Sequence, residues 1–142
     1  MKKFFGLMVL AFLNACATDN SVETVDKILA KKTFQFSIES CGCFGCAKEK
    51  AQVSIRENKI DATYYYMSYS ESDRPNEKSR KLTWDSEKTD VLRKLFEEGL
   101  KQNNKTGFCT TQSTYKLSSS WLTVTFDDEA CKFSEELAFL IE

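Results

Sequence analysis

Three cysteines lie within residues 41–46, and this cluster constrains the fold more than any other feature of the sequence. Alternating apolar and polar residues precede it at 33–40 and follow it at 51–56, a pattern typical of strands with one buried face. Gly42 and Gly45 permit a tight turn between two such strands. The cluster therefore predicts a cross-linked loop between two strands.

The N-terminus has the pattern of a signal peptide. Lys2 and Lys3 precede an apolar run that ends at Leu13, and this run is shorter than the roughly 20 residues that a membrane-spanning helix needs. The segment that follows, Leu13-Asn14-Ala15-Cys16, resembles the lipobox of bacterial lipoproteins. The resemblance implies removal of residues 1–15 and acylation of Cys16 with diacylglyceryl and N-acyl chains of the palmitate type, which together give firm membrane attachment. The alternative is an ordinary secretory signal peptide in which Cys16 has no special role.

The lipobox implies a location in the bacterial cell envelope, where the protein is bound to membrane lipid and faces the periplasm or the exterior. The predicted domain organisation is a signal peptide over 1–15, a lipidated cysteine and tether over 16–30, and one domain over 31–142. Removal of the signal peptide leaves 18 basic and 21 acidic residues, a formal charge of −3. Since no cluster of basic residues is present, we expect no nucleic-acid partner.

The remaining cysteines are Cys41, Cys43, Cys46, Cys109 and Cys131, and all five are disulfide candidates in an oxidising compartment. Five cysteines form at most two disulfides and leave one thiol over. Two alternatives stay open. Cys43-Phe44-Gly45-Cys46 could act as a redox dithiol, and Cys41, Cys43 and Cys46 could bind zinc or cuprous copper with Cys109 or Cys131 as a fourth ligand.

The chain contains no histidine. This excludes Ser-His-Asp and Cys-His catalysis and any zinc site that uses imidazole. No cofactor is implied by the sequence, and we expect a non-enzymatic protein.

Further elements follow from local patterns. Strands are predicted at 33–40, 51–56, 60–68 and 82–84, with a polar loop at 69–81. A helix capped by Asp85 or Ser86 places Leu92, Leu95 and Phe96 on one face and Lys88 on the solvated side. A hairpin is predicted over 113–126, followed by a short return strand at 131–133 and a last helix capped by Ser134.

Two other groups of side chains could bind a ligand. Tyr64, Tyr65 and Tyr66, with Tyr69, could form an aromatic platform for a glycan or peptide, although core and cross-strand packing is the better explanation for at least two of them. The acidic run 127–129 invites a calcium or acid-base interpretation, but its position favours a solvated turn.

Together these elements predict an α+β domain: an antiparallel sheet of five or six strands, with one main helix on a face and a short C-terminal helix. Residues 33–68, with their Cys-Phe-Gly loop, resemble small cysteine-containing bacterial lipoproteins, a resemblance that implies no particular activity. We therefore expect a membrane-anchored binding or structural domain, for which a protein or a glycan is a candidate ligand. The alternative is a thiol-redox or metal-handling lipoprotein that uses the cysteine cluster.

Overall fold

A computed structural model of the chain describes residues 17–43, 45–57, 59–69, 76–102 and 109–142. The elements in chain order are β1 (Ala17–Thr18), α1 (Val22–Leu29), β2 (Thr33–Gly42), β3 (Gly45–Arg56), β4 (Lys59–Tyr69), β5 (Asn76–Leu82), α2 (Ser86–Lys101), β6 (Thr111–Ser119), β7 (Leu122–Asp128) and α3 (Ser134–Ile141). The predicted signal peptide and Cys16 lie outside the described residues.

The strands form one sheet in the order β1-β7-β6-β2-β3-β4-β5. Six of them pair antiparallel, and the two-residue β1 adds to the edge of β7 in parallel orientation. The α+β class and the antiparallel sheet are thus confirmed. The helical layer is larger than predicted, because α1 joins α2 and α3.

The core lies between the helices and one face of the sheet. Phe34, Phe36 and Ile38 alternate along β2 and are each 1% exposed, and β3 continues this layer with Ala51 and Val53. The opposite face carries mainly polar side chains, as expected for an antiparallel sheet that is covered on one side. The fold therefore has a helix face and an open face.

The sequence predicted a tether over 16–30, but residues 17–18 form β1 and residues 22–29 form α1. Ala17 pairs with Leu122 in β1, and α1 begins after Ser21, whose hydroxyl accepts a hydrogen bond from the Thr24 N–H. Val25 and Ile28 of α1 are fully buried. These two side chains lie one turn apart and, with the partly buried Leu29, pack α1 against the core.

Other local predictions also need correction. Within the polar loop predicted at 69–81, Tyr69 ends β4 and residues 76–81 belong to β5, while residues 70–75 lie outside the described residues. Lys88 is buried with its Nζ 5.5 Å from the centre of the Phe139 ring, so it does not lie on the solvated side. Residues 131–133 form a turn and no strand, and the N-cap of α3 is Phe133, with Ser134 as the first helical residue.

The helix α2 and the hairpin of β6 and β7 form where the sequence predicted them. Asp85 caps α2 by accepting the Lys88 N–H at 2.9 Å, and Leu92, Leu95 and Phe96 are buried. The helix ends at Lys101, and the N–H of the C-cap residue Gln102 donates to the Gly99 carbonyl oxygen.

The strands of the sheet meet at two ends, a distal end and a proximal end. The distal end contains Gly42, Gly45 and Thr111, where β2 ends and β3 and β6 begin. The proximal end contains Thr33 and Leu122, where β2 and β7 begin. Because β1 runs parallel to β7, the chain enters the fold at the proximal end.

Candidate functional site

The cysteine cluster forms the tip of the β2–β3 hairpin at the distal end. Gly42 pairs with Gly45, so only residues 43 and 44 form the loop. Gly45 has a φ of 116°, a conformation that favours glycine, which explains why this turn needs that residue. The tight turn predicted from the two glycines is present.

The structure joins two of the clustered cysteines and leaves the third free. Cys41 and Cys46 are directly opposite in register, with Cα atoms 4.1 Å apart, and form a disulfide. Their side chains lie on the open face, because Ser40 and Ala47 take the alternate positions on the helix face. Cys43 is a free, exposed thiol within the loop that this disulfide closes.

A second disulfide joins Cys109 to Cys131 with a Cα–Cα distance of 6.0 Å. It ties the segment before β6 to the turn after β7, and the Cys131 Sγ lies 3.5 Å from the carbonyl oxygen of Thr111. These two disulfides give the cysteine connectivity that the sequence left open. The thiol left over is Cys43.

A cavity of about 500 Å³ lies beside the hairpin tip, and we call it the distal cavity. On β2 the helix-face side chains change from Phe36 and Ile38 to Ser40 and Gly42, so the strand loses bulk toward its end. The space that results is lined by Ser40, Gly42, Cys43, Gly45, Cys46, Ala47, Tyr66, Ser68, Thr110 and Thr111. Five of these side chains are hydroxylic and none is charged.

The floor of the cavity is closely packed. A Cβ added to Gly42 would lie 3.1 Å from both the Thr110 carbonyl oxygen and the Thr111 Oγ1. Ser40 and Ser113 share a hydroxyl hydrogen bond of 2.9 Å across β2 and β6. A ligand in the cavity would therefore meet a preformed surface.

The three tyrosines predicted as a platform do not share one surface. Tyr66 lines the distal cavity, whereas Tyr65 lies on the open face with the Lys50 Nζ 4.5 Å from its ring centre. Tyr64 lies on the helix face and donates a 2.7 Å hydrogen bond to Glu49. Of the three, Tyr66 alone contributes to the cavity, and the side chain of Tyr69 is not described.

Burial and then the hydrogen bond to Glu49 raise the pKa of the Tyr64 phenol well above its ordinary value. Burial also raises the pKa of Tyr115, and the negative charges of Asp128, Glu136 and Glu49 add to this effect. Both phenols therefore stay protonated at neutral pH. They act as packing and hydrogen-bonding groups near the site and supply no phenolate nucleophile.

The acidic run differs from the solvated turn that its position suggested. Asp128 is 1% exposed and accepts hydrogen bonds from the backbone N–H groups of Ala130, Lys132 and Phe133. Asp127, by contrast, is exposed and accepts a hydrogen bond from the Thr114 hydroxyl. Asp128 is thus a structural residue that organises the turn before α3.

Within the described residues, no group of three or more cysteine or acidic side chains is arranged to hold a metal ion. The two sulfurs of the Cys41–Cys46 disulfide could act as thiolate ligands only after reduction. In the same residues, no helix is long and apolar enough to cross a membrane.

Of the cavity residues on β2, β3 and β6, the sequence singled out Gly42, Gly45 and Cys46 as parts of the cysteine loop, but not Ser40, Ala47 or Thr111. Small and hydroxylic side chains have no periodic pattern of their own, and the available signal was the loss of bulk along residues 34–42. The chain matches no known protein-family model, and no curated protein sequence matches it.

Proposed function

We propose that the protein is a lipoprotein anchored through acylated Cys16 and that its domain binds a short saccharide in the distal cavity. The observation that carries the binding proposal is the composition of this cavity: five hydroxylic side chains, one of them the aromatic Tyr66, and no charged group. Hydroxyls both donate and accept hydrogen bonds, which suits the hydroxyls of a sugar. A volume of about 500 Å³ lies within the range of small-molecule sites.

The absence of charge among the lining side chains argues for a neutral ligand. An anionic ligand would lose its hydration without gaining a cationic partner, and a cationic ligand would find no carboxylate in the lining. Glu49 lies on the same face, but its carboxylate accepts the Tyr64 hydroxyl. Tyr66 offers a flat apolar surface against which a sugar ring can pack.

The binding proposal is tested by screening the purified protein against a panel of soluble neutral saccharides, such as N-acetylglucosamine oligomers, with saturation-transfer NMR. Tyr66→Ala should weaken binding by about tenfold, because it removes the aromatic wall. Tyr65→Ala is the matched control, since that ring lies on the open face, and it should leave affinity unchanged. No binding by any soluble saccharide, or equal loss in both variants, would refute the proposal.

The anchor is tested separately. Cys16→Ser should abolish acyl labelling and move the protein from the membrane fraction to the soluble fraction. Unchanged membrane attachment in this variant would exclude acylation of Cys16 as the anchor.

A second candidate function, thiol-disulfide exchange, is favoured by one observation: the free Cys43 lies inside the loop closed by the Cys41–Cys46 disulfide. The Cys43 thiolate can attack the Cys46 sulfur, which forms a Cys43–Cys46 disulfide and releases Cys41 as the thiolate. No external oxidant is needed. Disulfide mapping after rapid acid quenching should show both pairings if exchange occurs, and the Cys41–Cys46 pairing alone if the cluster is only structural.

A further inference from the structure

The acylated residue proposed above would be joined to the sheet almost without a linker. Cys16 immediately precedes Ala17, and Ala17 pairs with Leu122 at the start of β7. Consecutive Cα atoms are only about 3.8 Å apart. An anchor at Cys16 would therefore hold the proximal end of the sheet at the membrane.

The large exposed apolar side chains of the described chain lie at this same end. Trp121 is 64% exposed and precedes Leu122 in the β6–β7 turn, next to β1. Ile60 is 39% exposed and lies at the start of β4, opposite Ile55. Tryptophan prefers the boundary between water and the acyl chains, because its ring is amphipathic.

Basic side chains lie between these two apolar residues. The carbonyl oxygen of Lys32 accepts the Ile55 N–H at 2.6 Å, and the Ser119 hydroxyl donates to the neighbouring Thr33 carbonyl oxygen at 2.5 Å. The segment before β2 is thus held between the ends of β3 and β6. The exposed basic residues at this end are Lys31, Lys32, Arg56 and Lys59.

Acidic side chains are also present, at Glu57, at Asp61 beside Lys59, and at Asp85 and Glu87 near the start of α2. Lys31 and Lys32 immediately precede β2, which pairs with β6, and therefore lie at the same end of these strands as the β6–β7 turn that contains Trp121. Basic side chains close to an anionic membrane surface are attracted to it. The charge pattern therefore favours contact of this part of the end with anionic lipid.

We propose that the proximal end rests on the bilayer surface, with Trp121 and Ile60 in the headgroup region and Lys31 and Lys32 against anionic headgroups. This inference rests on the proposed acylation of Cys16. It adds a fixed orientation: the domain stands on the membrane, with the distal cavity and Cys43 facing away from it.

The two tryptophans allow a direct test in the full acylated protein. The protein is reconstituted into vesicles of phosphatidylcholine and phosphatidylglycerol, and its fluorescence is quenched either by iodide or by phosphatidylcholine brominated near the headgroup. Trp84 is 6% exposed and gives a constant fluorescence background. This background is measured in the Trp121→Phe variant. We expect brominated lipid to quench the Trp121 component and iodide quenching to fall several-fold relative to the free Cys16→Ser protein.

A matched control variant places the tryptophan at the distal end of the sheet. Gln112 is exposed on β6 at the distal end. Gln112→Trp combined with Trp121→Phe should remain accessible to iodide and unaffected by brominated lipid.

The possible failures are distinguishable. Acylated, vesicle-bound protein in which Trp121 is as accessible to iodide as in the Cys16→Ser protein would overturn the orientation but leave the anchor intact. Protein that mass spectrometry shows to be unacylated at Cys16 would overturn both.

Discussion

Replacement of Asp128 with alanine should destabilise the domain far more than the same change at the neighbouring Asp127. The Asp128 carboxylate accepts three backbone N–H groups, at 3.1, 2.8 and 3.3 Å. Alanine removes all three acceptors. The N–H of Phe133 is buried and cannot reach water, whereas those of Ala130 and Lys132 belong to exposed residues.

The expected loss in the free energy of unfolding follows from these environments. A buried donor without a partner costs about 1–3 kcal/mol, and each of the two partly buried bonds contributes about 1 kcal/mol. The total is about 3–5 kcal/mol for Asp128→Ala. Asp127→Ala removes one exposed hydrogen bond, to Thr114, and should cost less than about 1 kcal/mol.

Urea denaturation of both variants with their disulfides intact measures this difference. With a slope of about 2 kcal/mol/M, the midpoint of Asp128→Ala should fall by roughly 2 M and that of Asp127→Ala by less than about 0.5 M. Asp128→Asn, which retains one oxygen acceptor, should lie between them. Equal midpoints for the two alanine variants, at unchanged slope, would refute the assignment of Asp128 as the residue that organises this turn.

Three further predictions concern stability. Gly99→Ala should cost several kcal/mol by urea denaturation, because a Cβ there would lie 2.4 Å from the buried Phe126 ring; a loss below about 1 kcal/mol would contradict this packing. The raised pKa of Tyr64 means that the native state retains a proton which the unfolded chain loses above about pH 10, so stability should fall as pH rises beyond that value. Tyr64→Phe should make this decline shallower, and an unchanged alkaline titration would contradict it. Replacement of Cys109 and Cys131 by alanine opens a link across 22 residues and should cost about 3 kcal/mol, measured as a shift in the urea midpoint; no shift would contradict a stabilising disulfide.

The sequence predicted those elements whose buried apolar residues recur with the period of a strand or a helix. Phe34, Phe36 and Ile38 alternate because β2 is covered on one face, and Leu92, Leu95 and Phe96 recur because α2 lies on the sheet. These large side chains bury the most apolar surface, so the residues that form the periodic pattern are also those that contribute most to stability.

The elements that were not predicted have too few buried apolar residues to form such a pattern. The strand β5 has only Leu82 as a buried apolar residue, and its pairing with β4 depends on backbone hydrogen bonds that any sequence can form. In α1 the buried Val25 and Ile28 are too few to define a period. The role of Asp128 depends on the path of the following turn, which composition does not specify.

The distal cavity was unpredictable for a related reason. A cavity arises where side chains are small, and residues such as Ser40 and Ala47 are equally common in loops and at exposed strand positions. The cysteine cluster, by contrast, could be located from spacing alone, but its pairing needed the register that places Cys41 opposite Cys46.

The proposed orientation restricts which saccharides can reach the distal cavity. The strand β2 runs from the proximal to the distal end in 10 residues, a distance of about 34 Å at the usual rise per residue. A domain that stands on the bilayer would hold its cavity at about that height, beyond the headgroups of the same membrane. We therefore expect a soluble or cell-wall-linked saccharide to bind, and a glycolipid in the same vesicle to compete poorly. If the glycolipid competed as well as its free headgroup saccharide, the domain would have to lie on its side, and Trp121 would then report less protection than the upright arrangement requires.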